Sequence, residues 1–128
     1  MSAIHPIALT VRVVRRSQTF CAELLNFQHV TNFGPRAMLH NGSFLLALRL
    51  PPDASQAPAS DRFNENRIGL DHLSLSVTSM ADLHTAMAVL DAHSFDHGTI
   101  NPLEPFGIAV LAFRDPDNIQ LELTAPLA

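Results

Sequence analysis

One histidine and one glutamate stand out because strand alternation sends both to the same face. In Asp71-His72-Leu73-Ser74-Leu75-Ser76-Val77, the apolar Leu73, Leu75 and Val77 alternate with His72, Ser74 and Ser76. In Ile119-Gln120-Leu121-Glu122-Leu123-Thr124, the apolar residues alternate with Gln120, Glu122 and Thr124. Side chains two apart on a strand share a face. With the apolar sets packed on a helix, His72 and Glu122 emerge together on the opposite side. A neighbouring imidazole and carboxylate can exchange a proton with a substrate or hold a divalent metal. They can also be a hydrogen-bonded polar pair with no chemical task. Arg49 falls on the matching face of an earlier strand. It either binds a carboxylate or reaches solvent at the sheet edge.

The composition removes most competing chemistries. The chain has 128 residues, one ordinary domain's worth, and contains no Lys, Tyr or Trp and a single Cys, Cys21. Without Lys there is no Schiff base and no phosphate-loop lysine. One Cys makes neither an internal disulfide nor a cysteine-rich zinc site. In the first helical pattern Cys21 reads as a small buried thiol rather than a nucleophile. Proton transfer is left to His, Asp and Glu. A net charge of -4 and scattered Arg residues offer no basic stripe for nucleic acid, and no Tyr or Trp rings are present for base stacking. No apolar run approaches the roughly 20 residues of a membrane span. The N-terminal residues lack a signal peptide's basic start and apolar stretch. The expectation is a cytoplasmic protein with no nucleic-acid or membrane partner.

The elements that must position these residues repeat. Pro51 to Asp61 is rich in Pro, Ala and Ser and reads as part of a linker over 51–67. It separates module one, 3–50, from module two, 68–125, within a single domain spanning 1–128. Ile7-Ala8-Leu9-Thr10-Val11 opens the first module as Leu73 to Val77 opens the second. Each is followed by helical spacing: Phe20, Leu24 and Phe27, with Ser17 as N-cap, then Met80, Leu83, Met87 and Leu90, with Ser79 and Asp82 as a capping box. Strand and helix keep one offset between the halves. Hairpins follow: Ala37 to His40, the turn Asn41-Gly42 and a return strand over 43–50, then strands over 107–113 and 119–124 around Asp115-Pro116-Asp117-Asn118. Weaker strands are expected over 28–32 and 95–99. The predicted class is α+β, built as strand, helix, strand, strand, strand, twice.

The run Phe113-Arg114-Asp115-Pro116-Asp117-Asn118-Ile119-Gln120-Leu121-Glu122-Leu123, with Asp71 to Val77 and the helix ending Leu24-Leu25-Asn26-Phe27, resembles the vicinal oxygen chelate superfamily. That group includes glyoxalases, bleomycin-resistance proteins and dioxygenases. Asn26 and Asn118 stand where Gly is usual. The resemblance implies two βαβββ modules whose curled mixed sheets enclose a shared cavity, often within a homodimer. It also implies that His72 and Glu122 occupy positions of two metal ligands.

The first module departs from that pattern. By the fixed offset, Pro6 stands where His72 would be repeated, and aligning Ala47-Leu48-Arg49-Leu50-Pro51 with Glu122-Leu123-Thr124-Ala125-Pro126 sets Ala47 against Glu122. Neither side chain ligates a metal. His5 is one residue away, but in a regular strand it faces the side of Ile7 and Leu9. Redirecting it needs a bulge. Catalytic metals usually want three protein ligands and an open position. The expected function is therefore small-molecule binding with a degenerate metal site, no resident cofactor and a largely apolar cavity. Arg49, Ser74, Phe33, Met38, Leu45 and Phe106 are candidate ligand contacts, although core packing explains the apolar four equally well. The alternative is a metal-dependent lyase, epimerase or dioxygenase, using Zn, Ni, Fe or Mn on His72 and Glu122 with His5 or a partner-chain residue. A metal-free acid–base pair of His72 and Glu122 is a third reading. His29, His40, His84, His93 and His97 read as ordinary surface histidines.

Overall fold

Capping chemistry decides where the second helix begins. In a computed structural model describing all 128 residues, Ser79 Oγ accepts from the Asp82 backbone N–H at 3.4 Å, and Asp82 Oδ2 accepts from the Ser79 N–H at 3.0 Å. This reciprocal box starts α2 (Met80–Ala92) where the sequence places it. Leu83, Ala86 and Leu90 then form the buried face at helical spacing.

The first helix corrects the expected cap. α1 runs Val14–Leu25, with Val13 as an N-cap lacking any side-chain bond, so Ser17 lies inside the helix. Ser17 shares the buried face with Phe20, Cys21 and Leu25, and its small side chain fits that face. Its backbone N–H bonds Val13 O at 3.1 Å, while its buried Oγ has no partner. α1 stops at Asn26, which takes the left-handed conformation (φ 58°) that Gly usually supplies. Phe27, expected to extend the helical pattern, lies beyond it. Phe27 is buried, with its ring edge-on to Phe44 at a centroid distance of 5.4 Å.

The chain forms two compact units, Met1–Asp61 and Arg62–Ala128. The first contains β1 (Ile7–Thr10), α1, β2 (Gln28–Phe33), β3 (Arg36–His40) and β4 (Leu45–Arg49), in sheet order β1-β4-β3-β2. The second contains β5 (Leu73–Ser76), α2, β6 (Asn101–Leu103), β7 (Ile108–Arg114) and β8 (Gln120–Pro126), in order β5-β8-β7-β6. In both, the opening strand pairs parallel with the last, and the remaining pairs are antiparallel. The repeat seen in the sequence is thus a repeat of topology.

Each unit packs its helix on one face of its sheet. In the second, Ala109, Leu111 and Phe113 of β7 and Leu121, Leu123 and Ala125 of β8 are buried, alternating with half-buried residues. α2 packs against both strands. The β7–β8 turn is built by Asp115, whose Oδ1 accepts the Asp117 and Ile119 N–H groups at 2.8 and 2.7 Å. Asn118 then takes φ 68°. Segment 62–67, the end of the expected linker, is tied to this turn. Phe63 N–H donates to Asp117 O at 2.9 Å, and Asn118 Nδ2 donates to Phe63 O at 3.0 Å.

The weak strand expected over 95–99 is reduced to an isolated bridge between His97 and Phe113, and the regular strand comes later, at β6. His97 presents both ring nitrogens to acceptors: Nε2 to Asp91 Oδ1 at 2.5 Å and Nδ1 to Gly98 O at 2.6 Å. The Asp91 bond, reinforced by Gly98, holds the imidazole pKa above its ordinary 6.5. No helix is long and apolar enough to cross a membrane.

Two outcomes follow. Ser17→Ala removes a buried, unpartnered hydroxyl and improves helix propensity, so it should stabilise the protein by about 1 kcal/mol in urea unfolding. A loss of stability would show that the hydroxyl has a partner. Because the His97 pKa is raised on folding, its contribution is complete below pH 6.5 and is lost as pH rises through the folded value. Asp91→Asn should therefore lower the urea midpoint at pH 6 and have little effect at pH 9. An equal loss at both would exclude a charged pair.

Candidate functional site

The polar face of the second unit follows from register. Ser74 pairs with Glu122 and Ser76 with Thr124 across the parallel β5–β8 ladder, while Ala112 pairs with Glu122 and Arg114 with Gln120 across β7–β8. His72 immediately precedes β5. Since Leu121, Leu123 and Ala125 are buried toward the helix side, Gln120, Glu122 and Thr124 must occupy the other face.

On that face His72 Nε2 lies 3.2 Å from Glu122 Oε2, with side-chain exposures of 36% and 22%. The other ring nitrogen, Nδ1, lies 2.7 Å from Asp71 Oδ1. Gln120 Nε2 donates to the same Asp71 oxygen at 3.0 Å. Arg114 Nη2 donates to Gln120 Oε1 at 3.1 Å. Arg114 also grips Glu65 through both forks, Nη1 to Oε1 at 2.8 Å and Nη2 to Oε2 at 2.9 Å. Such two-point pairing is directional and charge-assisted. It holds the Glu65 carboxyl down at about 2. The result is one row of polar groups from Glu122 through His72, Asp71, Gln120 and Arg114 to Glu65. Ser74 Oγ and Thr124 Oγ1 satisfy each other at 2.8 Å beside it.

The structure thus brings His72 and Glu122 into contact and puts Ser74 next to Glu122 in register. The other proposed contacts are placed differently. Phe33, Met38, Leu45 and Arg49 belong to the first unit. There Met38 pairs with Ala47 and Phe33 with Arg36, which puts all four on the face that carries Ala47. Met38 and Leu45 are half-buried, whereas Phe33 is 68% exposed with the Arg36 guanidinium 5.9 Å from its ring centre. Arg49 spends its Nε on Leu50 O at 3.3 Å. Phe106 sits in a short 3-10 turn before β7, 76% exposed, off the sheet face.

The first unit repeats the register without the donors. Ala8 pairs with Ala47 as Ser74 pairs with Glu122, and Ile7 pairs with Leu46 as Leu73 pairs with Leu121. Pro6 therefore stands at the position of His72, and Ala47, fully buried, at that of Glu122. No group of three or more His, Cys, Asp or Glu side chains is arranged to hold a metal ion.

Sequence reasoning assigned no role to Asp71, Gln120, Arg114 or Glu65. Two of these had a signal: Asp71 adjoins His72, and Gln120 shares the face of Glu122 by alternation. Glu65 had none, because it lies outside any strand or helix.

Two βαβββ units of identical topology, each presenting the sheet face opposite its helix, define an α+β fold of the vicinal oxygen chelate kind. The chain belongs to the Glyoxalase/Bleomycin resistance protein/Dioxygenase superfamily, whose model matches residues 3–123. It is 30% identical to a glyoxylase/bleomycin resistance protein/dioxygenase domain from Frankia sp. EAN1pec, with a TM-score of 0.82, covering 98% of this chain and 93% of that one. Its fold also matches a fosfomycin resistance protein from Listeria monocytogenes, at 14% identity and a TM-score of 0.76, covering 98% and 93% of the two chains. A mutant of the Listeria protein, complexed with Mn(II) and 1S,2S-dihydroxypropylphosphonic acid, matches at 15% identity and a TM-score of 0.72, covering 96% and 89%. No functionally curated protein matches the sequence.

The Glu65–Arg114 pair carries a pH signature. The Glu65 pKa falls on folding from 4.5 to about 2, so its contribution is complete above pH 4.5 and is lost as pH falls toward 2. Glu65→Gln should lower the urea midpoint at pH 7, and the difference from the parent should close progressively between pH 4.5 and 2. A difference that persists undiminished at pH 2 would assign the loss to packing.

Proposed function

We propose that the chain is a small-molecule-binding member of its superfamily that engages its ligand at the His72–Glu122 face without a resident catalytic metal. One observation carries this reading. The register that sets Glu122 beside Ser74 in the second unit sets Ala47 beside Ala8 in the first. With Pro6 at the other matching position, the first unit contributes no side-chain donor where the second contributes two.

The donors present do not fit a catalytic metal site of the usual kind, which takes three protein ligands and keeps one position open. His72 and Glu122 supply two. A binding role asks less of them. A few convergent polar groups on a mostly apolar surface are enough to orient a ligand. His72, Glu122 and the hydroxyl of Ser74 are the polar groups we assign to that task. In the first unit, Phe33, Met38, Leu45 and Arg49 share the face that carries Ala47 and are that unit's own candidate contacts. The assembly we expect is the homodimer, and the compartment the cytoplasm.

The test is a thermal-shift screen of purified protein against apolar metabolites and antibiotics, alongside elemental analysis. A ligand present at a hundred times its Kd stabilises by about 2.7 kcal/mol, which raises the Tm of a domain this size by about 10 °C. Glu122→Gln and His72→Gln should each reduce the shift for that ligand while leaving the unliganded Tm within about 2 °C, as expected for partly exposed side chains. Stoichiometric Zn, Ni, Fe or Mn, lost on mutation of His72, would overturn the metal-free reading and place the chain among the metal-dependent lyases, epimerases or dioxygenases of the superfamily.

A further inference from the structure

We infer that Asp71 is a positioning residue. It fixes a proton on Nδ1 of His72, so that the neutral ring turns a bare Nε2 toward Glu122 and toward whatever binds there. The inference deepens the ligand-site reading above and rests on it only for the identity of the face.

The polarity of the row is set from its far end. A guanidinium has donors and no acceptor, so Arg114 must meet the carbonyl oxygen of Gln120 and not its amide nitrogen. The contact is Nη2 to Oε1 at 3.1 Å. This leaves the Gln120 NH2 pointing onward, and it reaches Asp71 Oδ1 at 3.0 Å. An ionised carboxylate only accepts. Asp71 Oδ1 therefore accepts from Gln120, and its 2.7 Å contact with His72 requires a hydrogen on Nδ1. Each link leaves the next no choice. Arg114 is itself held by both oxygens of Glu65, at 2.8 and 2.9 Å, which stops it from turning away.

The other end of the ring shows the consequence. With Nδ1 protonated, a neutral His72 carries a lone pair on Nε2. The nearest group, Glu122 Oε2 at 3.2 Å, is also an acceptor when ionised. Their approach lacks hydrogen-bond geometry, and no other hydrogen bond or ion pair reaches the Glu122 carboxylate. Two adjacent acceptors on a half-exposed face call for a shared donor. The ligand chemistry they select is a group bearing N–H or O–H hydrogens, such as an amine, amide or alcohol, that donates to Nε2 and Oε2 together. A ligand offering only acceptors, such as a phosphonate or carboxylate, finds no complement at this pair.

The experiment reads the proton directly in the ligand-free protein. Long-range proton–nitrogen correlation spectra of the full chain labelled with 15N-histidine separate the two neutral tautomers and the imidazolium. The His72 ring is assigned by comparison with His72→Gln. In the parent protein the neutral His72 ring should carry its proton on Nδ1. Asp71→Ala should shift the neutral tautomer ratio toward Nε2–H by roughly tenfold, the value of one hydrogen bond to a charged group. Gln120→Ala should shift it in the same direction by less, and Asp71→Glu should restore part of the parent ratio. Asp71 is 64% exposed on its side chain, so its replacement leaves the fold intact, which a backbone correlation spectrum checks. A parent ring carrying only Nε2–H, or a ratio unmoved in Asp71→Ala, overturns the inference. Because no ligand is present, failure here leaves the ligand-site reading standing, and failure of the ligand screen leaves the tautomer result standing.

Discussion

The parallel pairing of β5 with β8 is the constraint on which the second unit's chemistry depends. It holds Leu73 against Leu121 and Leu75 against Leu123, and between them it must hold Ser74 against Glu122. A slip of one residue would turn Leu121, Leu123 and Ala125 outward and bury Glu122 under α2. The cost of exposing three buried apolar side chains protects the placement of one carboxylate. The site is in that sense a by-product of core packing: the polar residues stand where they do because their neighbours have nowhere else to go.

The same pairing in the first unit carries no polar side chain at the matching positions. β1 and β4 keep the register, and Leu46 and Leu48 are as buried as their counterparts. Between them stands Ala47, where the second unit has the carboxylate of Glu122. Either residue type is compatible with the register, since the face opposite the helix leaves the helix-facing core untouched. The two units therefore share an architecture and divide the chemistry unequally. The polar side of the second unit holds one imidazole between two carboxylates, Glu122 and Asp71, braced through Gln120 by a guanidinium–carboxylate fork. Of the ion pairs on this face, only the fork has two-point geometry, and it shifts the Glu65 carboxyl far from its ordinary value. It also anchors the segment entering the unit, together with the Phe63 backbone bonds to the β7–β8 turn.

Much of this was legible in the sequence. Period-two alternation gave the faces of β5 and β8, and the capping box gave the start of α2. Asn118 marked a left-handed turn and Asn26 stood where Gly is usual; the constant offset between the halves matched Pro6 with His72, and aligning Ala47 to Pro51 with Glu122 to Pro126 matched Ala47 with Glu122. The readings that failed were those where a local preference met a tertiary demand. Ser17 has the right chemistry for an N-cap, but it lies within the buried face of α1, and the helix starts earlier with no side-chain cap. Residues 95–99 carry some strand character, but His97 commits both ring nitrogens to Asp91 and Gly98, and only one bridge to β7 forms.

The sequence by itself determined the two-module α+β fold, the shared face of His72 and Glu122 and the lack of side-chain donors at the matching positions of the first unit. The shared face follows from period-two alternation, and the repeat and its missing donors from comparing one half of the chain with the other, all of which a chain carries in its own residue order. The tertiary structure alone decided which groups brace the pair. Glu65 and Arg114 lie 49 positions apart, as do Asp71 and Gln120, and no local pattern relates them. Side chains on different strands meet only once register, turn and segment path are all fixed. The hydrogen-bond direction that runs from Arg114 to His72 exists only after they have met.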